Sequence, residues 1–466
     1  MTSSRIAGRS FHLLGIGGAG MSVIAELLLS QGAKVSGSDA RLTGITEHLS
    51  GLGVDIYEGH DVRNLPHGDD VCVVISSAIA QNNPDFCEAK KRGLEILHRS
   101  QALVLAAQSH DFIAIAGAHG KTTTSAMIAV ALDECGYDPS WAIGGSVSGY
   151  GSGAHAGAGS VFIAEADESD GSFLNYRPHI ALVTNIENDH LDHYESAEAL
   201  DAIFEKFAET VSDEGALIVC ADDARAAALG NTMIKKGRTV VSYGRGAALE
   251  GVARHICITG ESLNEGHPSG RLSCDKGSAE INLSRIVGAH NLLNAAGAWA
   301  VGVTLGIDCE DMARAVECFA GTGRRFEDKG NVAGVRLVDD YAHHPTEVRA
   351  TILAAREQAN TVRVLFQPHL YSRTRDFAEE FARALDLADD VIVTGVYGAR
   401  EEPMDGIEGH MIVERMSGAA RFIPDRIEAA RALAQSAHAG DLLMTMGAGD
   451  VSELGSFILE ECSRGS

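Results

Sequence analysis

The sequence lacks the cysteine patterns that stabilise small secreted domains or bind structural zinc. Its nine cysteines are odd in number, are scattered along the chain and form no CxxC pair. This arrangement argues against a disulfide framework and against a structural zinc site. We therefore expect most of the cysteines to be small, buried apolar residues.

Long apolar runs are missing as well. No stretch approaches the roughly 18 uninterrupted apolar residues that indicate a transmembrane helix. The first residues, MTSSRIAGRSF, have no apolar core of the kind found in a signal peptide. The sequence therefore predicts no membrane insertion, and cytoplasmic localisation is the expectation.

Positive charge is scarce. The 466 residues include 38 lysines and arginines against 64 aspartates and glutamates, which gives a formal net charge of −26. Nucleic-acid-binding proteins need basic patches, so no nucleic-acid partner is expected. An acidic enzyme with anionic substrates must concentrate its few cations locally. Any Lys or Arg beside a glycine turn is therefore of particular interest.

Glycine, in contrast, is abundant. Many of the 52 glycines lie in short clusters that follow apolar runs, and the apolar content is 45%. The recurring order of strand, glycine turn and helix predicts a globular α/β fold with parallel sheets, in about two to four domains. Two stretches are less regular: residues 144–160 predict a flexible surface loop, and residues 210–285 predict short strands and turns.

The segment GAHGKTTT, residues 117–124, has the organisation of a phosphate-binding loop. Apolar residues 112–116 predict a strand before it, and residues 125–132 predict a helix after it. In such a turn backbone N–H groups face the phosphates, a lysine adds a point charge and a threonine hydroxyl can bind Mg²⁺. The general pattern has a glycine where this chain has Ile115, so the segment is a variant.

Two further predicted strands lead to polar side chains. One leads into EADESDGSF and delivers Glu165, and the next leads into NIENDHLDHY, which contains His190. The carboxyl ends of parallel strands share one edge of a sheet, and ligands bind at that edge. Four side chains collected there predict a metal–nucleotide site rather than a dehydrogenase site: Lys121, Thr122, Glu165 and His190.

The first glycine cluster, Gly15 to Gly20, predicts another nucleotide site. A strand enters the cluster, a helix follows, and a second strand ends just before Asp39. This is a dinucleotide-type βαβ fingerprint, in which a pyrophosphate sits on the helix N-terminus and the acidic residue binds a ribose hydroxyl. A tight turn without a ligand is the alternative. The motif does not distinguish NAD from another nucleotide diphosphate, so it leaves an NAD-dependent oxidoreductase as an alternative. That alternative does not explain the predicted metal–nucleotide site at residues 121, 122, 165 and 190.

A third α/β pattern follows GTGRRF, residues 321–326, which is interpreted as a hinge with cations attached. Its predicted strands lead into DDYAHHPTE, QPHLYSRTRDF, GVYGAREEP and GAGD. We expect a domain with a sheet edge of this kind to close over the central site. Before the hinge, Asn291 and Asn294 begin a long apolar helix. They fit either helix capping or hydrogen bonds to an adenine edge or ribose.

Ten segments in this order make the chain resemble the Mur ligase family, over nearly all of its length. They are GIGGAGM, GAHGKTTT, EADESDGSF, NIENDHLDH, GAHNLLNAAGA, GTGRRF, DDYAHHPTE, PHLYSRT, VYGAREEP and MTMGAGD. The resemblance implies a Rossmann-like UDP-binding domain (1–108), a central P-loop ATPase domain with a parallel sheet (109–322) and a Rossmann-like C-terminal domain (323–466). It also accounts for the variant loop, because these ligases use a shortened glycine turn.

The implied activity is the ATP-dependent ligation of L-alanine to the lactoyl carboxylate of UDP-N-acetylmuramate, through an acyl phosphate, in peptidoglycan precursor synthesis. The implied cofactors are ATP and Mg²⁺, with two metal ions, and the implied assembly is a monomer or weak homodimer. Within the family, the alternative is a ligase that joins a recycled murein tripeptide to the same UDP sugar. Outside it, the alternatives are the oxidoreductase and a nucleotide-gated binding module that forms no amide product.

The resemblance also implies roles for individual residues. The catalytic candidates are Lys121, His190, Arg325, His369 and Arg373. The candidates for ATP binding are Gly117, His119, Gly120, Lys121, Thr122, Thr123, Asn291, Asn294, Arg325 and Asp340. The substrate-binding candidates are Gly17, Gly18, Ser38, Asp39, His60 and Ser76 for the UDP sugar, with His343, Tyr397 and Arg400 in the C-terminal domain. The metal candidates are Thr122, Glu165 and His190, and Glu205 falls where related ligases carry a modified lysine near the second ion.

Overall fold

The computed structural model describes residues 6–68, 70–108, 110–169, 171–187, 196–399 and 401–464. Three sheets follow one another along the chain, with five, ten and six strands. Their central strands are buried almost throughout, because helices cover parallel sheets on both faces. This burial is the reason that these strands are recognisable in the sequence as short apolar runs.

The first sheet has the strand order β3-β2-β1-β4-β5, and every neighbouring pair is parallel. Its strands are β1 (Ser10–Leu14), β2 (Lys34–Asp39), β3 (Asp55–Glu58), β4 (Val71–Ile75) and β5 (Glu95–His98). Its helices are α1 (Ala19–Ser30), α2 (Gly44–Gly51), α3 (Pro84–Arg92) and α4 (Arg99–Ala107). The glycine cluster Gly15 to Gly20 therefore joins the central strand β1 to α1.

The second sheet has ten strands in the order β15-β14-β13-β12-β11-β10-β6-β9-β7-β8. The strands are β6 (Asp111–Ala116), β7 (Ser140–Ala142), β8 (Ala154–His155), β9 (Val161–Glu165), β10 (Ile180–Val183), β11 (Ala216–Cys220), β12 (Val240–Gly244), β13 (Arg254–Asn264), β14 (His267–Cys274) and β15 (Gly277–Asn282). The helices are α5 (Lys121–Glu134), α6 (Ala197–Glu209), α7 (Ala224–Lys235), α8 (His290–Thr304) and α9 (Cys309–Glu317). Strand β6 lies between β9 and β10 and is parallel to both, so the ends of these three strands share one edge.

The third sheet has the order β16-β17-β21-β18-β19-β20, with β16 antiparallel to β17 and the other pairs parallel. Its strands are β16 (Glu327–Val332), β17 (Val335–Asp340), β18 (Val362–Phe366), β19 (Asp390–Val393), β20 (Ala420–Phe422) and β21 (Leu442–Met446). Its helices are α10 (Pro345–Arg356), α11 (Tyr371–Asp376), α12 (Ala378–Leu385), α13 (His410–Val413), α14 (Arg426–Ser436) and α15 (Gly455–Arg464).

The chain forms two compact units. The first consists of Met1–Thr259, Arg271–Ile281 and Asn294–Phe319, and the second consists of Gly260–Gly270, Asn282–Leu293 and Ala320–Ser466. The first unit contains both glycine loops with their helices α1 and α5, and the second contains all six strands of the third sheet. None of the helices in the described ranges has both the length and the apolar composition needed to cross a membrane.

The predicted α/β fold with mainly parallel sheets is confirmed, but two local expectations are incomplete. Residues 144–160 are mainly turns near the surface, yet they are tied to the sheet, because β8 pairs with β7 and the ring of His155 stacks on Trp141 with centroids 4.3 Å apart. A Cβ at Gly159 would lie 1.8 Å from the carbonyl oxygen of Tyr137, so this glycine serves close packing. Residues 210–285 are not only strands and turns, since they include the helix α7.

Candidate functional site

The segment GAHGKTTT forms a glycine turn that passes directly into a helix. Gly117 and Gly120 have φ angles of +131° and +82°, a region that side chains other than glycine rarely adopt. A Cβ at Gly117 would lie 2.2 Å from Thr184 Oγ1, and one at Gly120 would lie 2.7 Å from Asn294 Oδ1. Helix α5 begins at Lys121, with Thr122 and Thr123 in its first turn. The turn therefore presents the helix N-terminus, as an anion site requires.

Lys121 is surrounded by oxygen atoms. Its Nζ donates to both carboxylate oxygens of Glu168, at 3.0 Å each, and to the carbonyl oxygen of Ala118 at 3.3 Å. Burial of the ammonium group opposes its charge, but the carboxylates of Glu168 and Asp167 outweigh burial and raise the pKa of Lys121. The lysine is therefore a fixed cation beside the glycine turn. Sequence reasoning missed Glu168, whose only signal was its place in EADESDGSF.

Oxygen ligands lie beside this lysine. Thr122 Oγ1 donates to Glu165 Oε2 at 3.2 Å, and Glu165 Oε1 accepts from the backbone N–H of Gly144 at 2.7 Å. Glu165 is the last residue of β9, as predicted. A hydroxyl and a carboxylate next to a phosphate-type turn are the donor set that Mg²⁺ prefers, so the residues present fit the implied metal.

The end of β10 holds the other side of the turn. The backbone N–H of His119 donates to Asn185 Oδ1 at 2.9 Å, and His119 Nε2 lies 3.4 Å from Glu187 Oε2. His190, predicted to bind the second metal ion, lies outside the described residues. Glu205 forms an ion pair with Lys236, with 2.7 Å between Oε1 and Nζ. Its predicted place near a metal stays a prediction.

The two predicted asparagines on α8 have different surroundings. Asn294 contacts the glycine turn, since its amide group occupies the space in which a side chain at Gly120 would lie. Asn291 is buried, and its Nδ2 donates to the carbonyl oxygen of Val287 at 2.7 Å. The structure thus places Asn294 at the phosphate-type turn.

The first glycine loop is held by the end of β2. The carbonyl oxygen of Ser38 accepts from the backbone N–H groups of Gly15 and Ile16, at 2.8 and 3.2 Å. Asp39 Oδ2 accepts from the N–H of Gly17 at 2.8 Å, and Gly18 is the N-cap of α1. Ser76, another predicted residue, follows directly after β4, which pairs with β1. These predicted residues therefore meet at the carboxyl end of the first sheet.

A buried carboxylate that sequence analysis missed contacts two of the predicted substrate residues, Ser38 and His60. Asp85 Oδ2 accepts from Ser38 Oγ at 2.6 Å and lies 3.3 Å from His60 Nδ1. The same imidazole nitrogen lies 3.0 Å from Ser38 Oγ. Asp85 is fully buried, and its other oxygen has no hydrogen-bond partner among the described residues. The two predicted substrate residues therefore share one aspartate that sets their orientation.

Arg325 and Asp340 are close together in the second unit. Asp340, at the end of β17, accepts from the N–H groups of Phe326 and Ala342 at 2.7 and 2.8 Å. Burial raises the pKa of Asp340 to about 6, although the nearby Arg325 opposes this rise. Arg325 Nη1 lies 3.6 Å from Glu347 Oε1. Arg325 is thus held beside the DDYAHHPTE segment, close to Asp340 near its start and to Glu347 at its end.

The remaining predicted residues of the second unit form an aromatic and cationic cluster. The ring of His369 stacks on Tyr397 with centroids 5.9 Å apart and meets His343 edge-on at 5.7 Å. Arg373 is buried, and its Nη1 donates to His369 Nδ1 at 3.3 Å. Leu370, between them, has φ of +69°, a costly conformation of the kind found at functional sites. Arg400 lies outside the described residues.

Three family models match the chain. They are the Mur ligase family catalytic domain at residues 10–110, the Mur ligase middle domain at residues 115–302 and the Mur ligase glutamate ligase domain at residues 324–449. Together with the relatives below, they show that the chain belongs to the Mur ligase family. The predicted family and the predicted class of enzyme, an ATP-dependent ligase, are confirmed.

The chain is similar over nearly its whole length to enzymes named UDP-N-acetylmuramate–L-alanine ligase. It is 48% identical to the one from Renibacterium salmoninarum, over 96% of this chain and 95% of the relative. It is 46% identical to the one from Paenarthrobacter aurescens, over 96% of each chain. The crystal structure of UDP-N-acetylmuramate-alanine ligase MurC from Thermotoga maritima matches with a TM-score of 0.81 at 27% identity, over 98% of this chain and 100% of that one.

Proposed function

We propose that the protein joins L-alanine to the lactoyl carboxylate of UDP-N-acetylmuramate and converts ATP to ADP and phosphate. The observation that carries this proposal is the 48% identity to a UDP-N-acetylmuramate–L-alanine ligase over 96% of the chain. The oxidoreductase and the non-catalytic module do not hold, because the family consists of ligases. The product is a precursor of peptidoglycan.

The reaction brings two anionic groups together, the lactoyl carboxylate and the γ-phosphate of ATP. The lactoyl carboxylate attacks the γ-phosphorus of ATP, the bond to the bridging oxygen breaks, and an acyl phosphate and ADP form. The amine of L-alanine then attacks the acyl carbon, loses a proton, and inorganic phosphate leaves. Fixed cations aimed at the transferring phosphoryl group stabilise the charge that develops there. Lys121 is such a cation, and Glu168 holds it beside the glycine turn.

The proposal assigns Thr122 and Glu165 to one Mg²⁺, and His190 to a second. Bound Mg²⁺ neutralises phosphate oxygens and orients them for in-line transfer. The hydrogen bond of 3.2 Å between Thr122 and Glu165 supports the first assignment, because both oxygens face the same turn. Asn294 contacts that turn and is assigned to ATP.

The second unit supplies the remaining proposed contacts. Arg325 and Asp340 are assigned to the nucleotide, His369 and Arg373 to the acyl phosphate and the alanine carboxylate, and His343 and Tyr397 to the amino-acid pocket. The support is that His369, Arg373, His343 and Tyr397 form one cluster. We further propose the division into domains 1–108, 109–322 and 323–466, a cytoplasmic location and a monomer or weak homodimer.

The choice of amino acid is tested by measuring ADP release with UDP-N-acetylmuramate, ATP and a panel of acceptors. The panel contains L-alanine, L-serine, glycine and one murein tripeptide, because a murein peptide ligase from Psychrobacter arcticus also matches, with a TM-score of 0.73 at 26% identity. We expect L-alanine to give the highest kcat/KM, with an amide product seen by mass spectrometry. Preference for the tripeptide would overturn the proposal in favour of the related peptide ligase.

A further inference from the structure

Arg99 lies over the first glycine loop. It is the first residue of α4, and a Cβ at Gly20 would lie 3.0 Å from its Nη1 and 3.2 Å from its Cδ. Gly20 is in the first turn of α1, after its N-cap Gly18. The arginine therefore occupies the space that any larger residue at Gly20 would need, and glycine at this position allows the guanidinium to approach the helix N-terminus.

Asp167 holds this guanidinium in place. Arg99 Nη2 donates to Asp167 Oδ2 at 3.3 Å, and Asp167 Oδ1 accepts from the backbone N–H of Ser169 at 3.0 Å. The carboxylate is fixed by its own turn and orients the arginine. The adjacent residue, Glu168, makes the corresponding contact with Lys121 at the second glycine loop. One short segment thus supplies a counter-ion to a cation at each loop.

The guanidinium still has donors to offer. Its side chain is 19% exposed, and Asp167 is its hydrogen-bond partner within the described part of the chain. Arginine carries five N–H donors, so most of them remain available to a ligand. A single, partly exposed ion pair at 3.3 Å with a carboxylate that is itself 40% exposed contributes only modestly to stability. Fold stability alone therefore gives a weak reason for an arginine at this point.

The first loop has no cation of its own. The sequence from Gly15 to Gly20, GIGGAG, contains no charged residue, whereas the second loop includes Lys121. We propose that Arg99 binds the diphosphate of the nucleotide sugar at the first loop, and that Asp167 is a positioning residue for it. This inference rests on the proposed function. Arginine suits the role because its planar fork pairs with two phosphate oxygens at once.

The test compares Arg99→Gln with wild-type enzyme by isothermal titration calorimetry. We expect the affinity for UDP-N-acetylmuramate to fall about 10- to 100-fold, as for a lost hydrogen bond between charged groups. The affinity for ATP and the thermal unfolding temperature should stay close to wild type. The matched control is Arg9→Gln, since Arg9 pairs with Glu95 and immediately precedes β1, at the opposite end of that strand from the loop. The control should bind both ligands normally.

Arg99 could contact either the diphosphate or the lactoyl carboxylate, since both are anions. Measuring the binding of three ligands distinguishes these two contacts. UDP-N-acetylglucosamine keeps the diphosphate and lacks that carboxylate, so Arg99→Gln should weaken it by the same factor as UDP-N-acetylmuramate. Uridine lacks the diphosphate, and its affinity should not change. A loss confined to UDP-N-acetylmuramate would overturn the assignment to the diphosphate. Normal binding of all three ligands by the variant would exclude Arg99 from the site.

Steady-state kinetics test the role of Asp167 as a positioning residue. Asp167→Asn should raise KM for the UDP sugar by less than Arg99→Gln does, and adding it to Arg99→Gln should cause little further rise. Arg99→Lys should recover part of the affinity. Fully additive effects would overturn the positioning role. If the wild-type enzyme does not bind the UDP sugar, the proposed function is wrong as well. If the wild-type enzyme binds it and Arg99→Gln binds it equally well, only the inference on Arg99 is overturned.

Discussion

The two glycine loops of the first unit have the same local architecture but different surroundings. Each joins a buried parallel strand, β1 or β6, to a helix whose N-cap is glycine. The second loop has its own lysine, held by Glu168, and a hydroxyl–carboxylate pair suited to Mg²⁺. The first has no charged residue of its own, and its cation, Arg99, comes from another helix.

This difference shows that the strand–glycine–helix unit defines an anion site but not which anion it takes. A triphosphate that must transfer a phosphoryl group needs a nearby metal and a fixed cation. A diphosphate that is only held needs neither a metal nor a reacting lysine. The side chains brought in from β9 and α4 therefore give the two loops separate chemistry.

Removal of the lysine at the second loop should have the largest effect. Lys121→Ala is expected to lower the rate of ADP release about 10³-fold with both substrates present, because the loss of a group aimed at developing charge typically costs 10²–10³. Binding of the UDP sugar should be nearly unchanged. The control is Lys236→Ala, since that lysine, the C-cap residue of α7, forms exposed ion pairs with two carboxylates of α6. Turnover close to wild type in Lys121→Ala would refute the phosphate role of the second loop.

The two N-cap glycines offer a direct comparison of the loops. Gly120 has φ of +82°, and a Cβ there would lie 2.7 Å from Asn294 Oδ1, whereas Gly18 has φ of −66° and a nearest contact of 3.3 Å. Left-handed strain and steric overlap together amount to about 3 kcal/mol. Gly120→Ala should therefore weaken ATP binding about 100-fold, measured by calorimetry. Gly18→Ala should weaken UDP-sugar binding less than about tenfold, and equal losses would show that the loops do not differ in this way.

The parts of this arrangement that are local in sequence were predictable. Lys121 and Thr122 follow β6 after the glycine turn, and Glu165 is the last residue of β9, so their convergence at one sheet edge followed from parallel topology. Arg99 and Asp167 are 68 positions apart, and nothing in the sequence near either residue indicates that they meet. Asp85 was missed for the same reason, because it lies on α3 and contacts Ser38 of β2, 47 positions earlier in the chain. Close backbone packing, as at Gly159, looks like flexibility when only composition is visible.

The carboxylate of the first loop should give a smaller and more selective effect. Asp39 accepts from the N–H of Gly17, and the proposed function also assigns it to a ribose hydroxyl. Asp39→Ala should weaken UDP-sugar binding about tenfold, the order expected for one hydrogen bond to a charged group. ATP affinity should stay within about twofold. Asp61→Ala, which removes an exposed carboxylate paired with Arg63 in the short 3-10 turn after β3, is the control. Equal losses for both nucleotides would contradict separate sites.

Strands β1 and β6, which lead into the two glycine loops, should differ in how their stability depends on pH. His12 of β1 is fully buried with Nδ1 2.8 Å from Ser36 Oγ, and burial together with His60 lowers the pKa of His12 to about 4. The unfolded chain takes up this proton near pH 6.5, so stability is lost as the pH falls from there towards 4.

At pH 6 the loss for His12 is about 1 kcal/mol relative to pH 7.5, from the difference in proton uptake between unfolded and folded chain. Hydrogen exchange, corrected for its intrinsic pH dependence, should show this loss at the slowest amides of β1. Residues 112–116 of β6 are apolar, and His110, which directly precedes this strand and also has a pKa lowered by burial, is less buried than His12, so the response at β6 should be weaker. His12→Gln removes the titrating group and should abolish the β1 response. If the wild type and this variant have the same pH profile, the buried imidazole is not its cause, and the two strands do not differ in their response to acid.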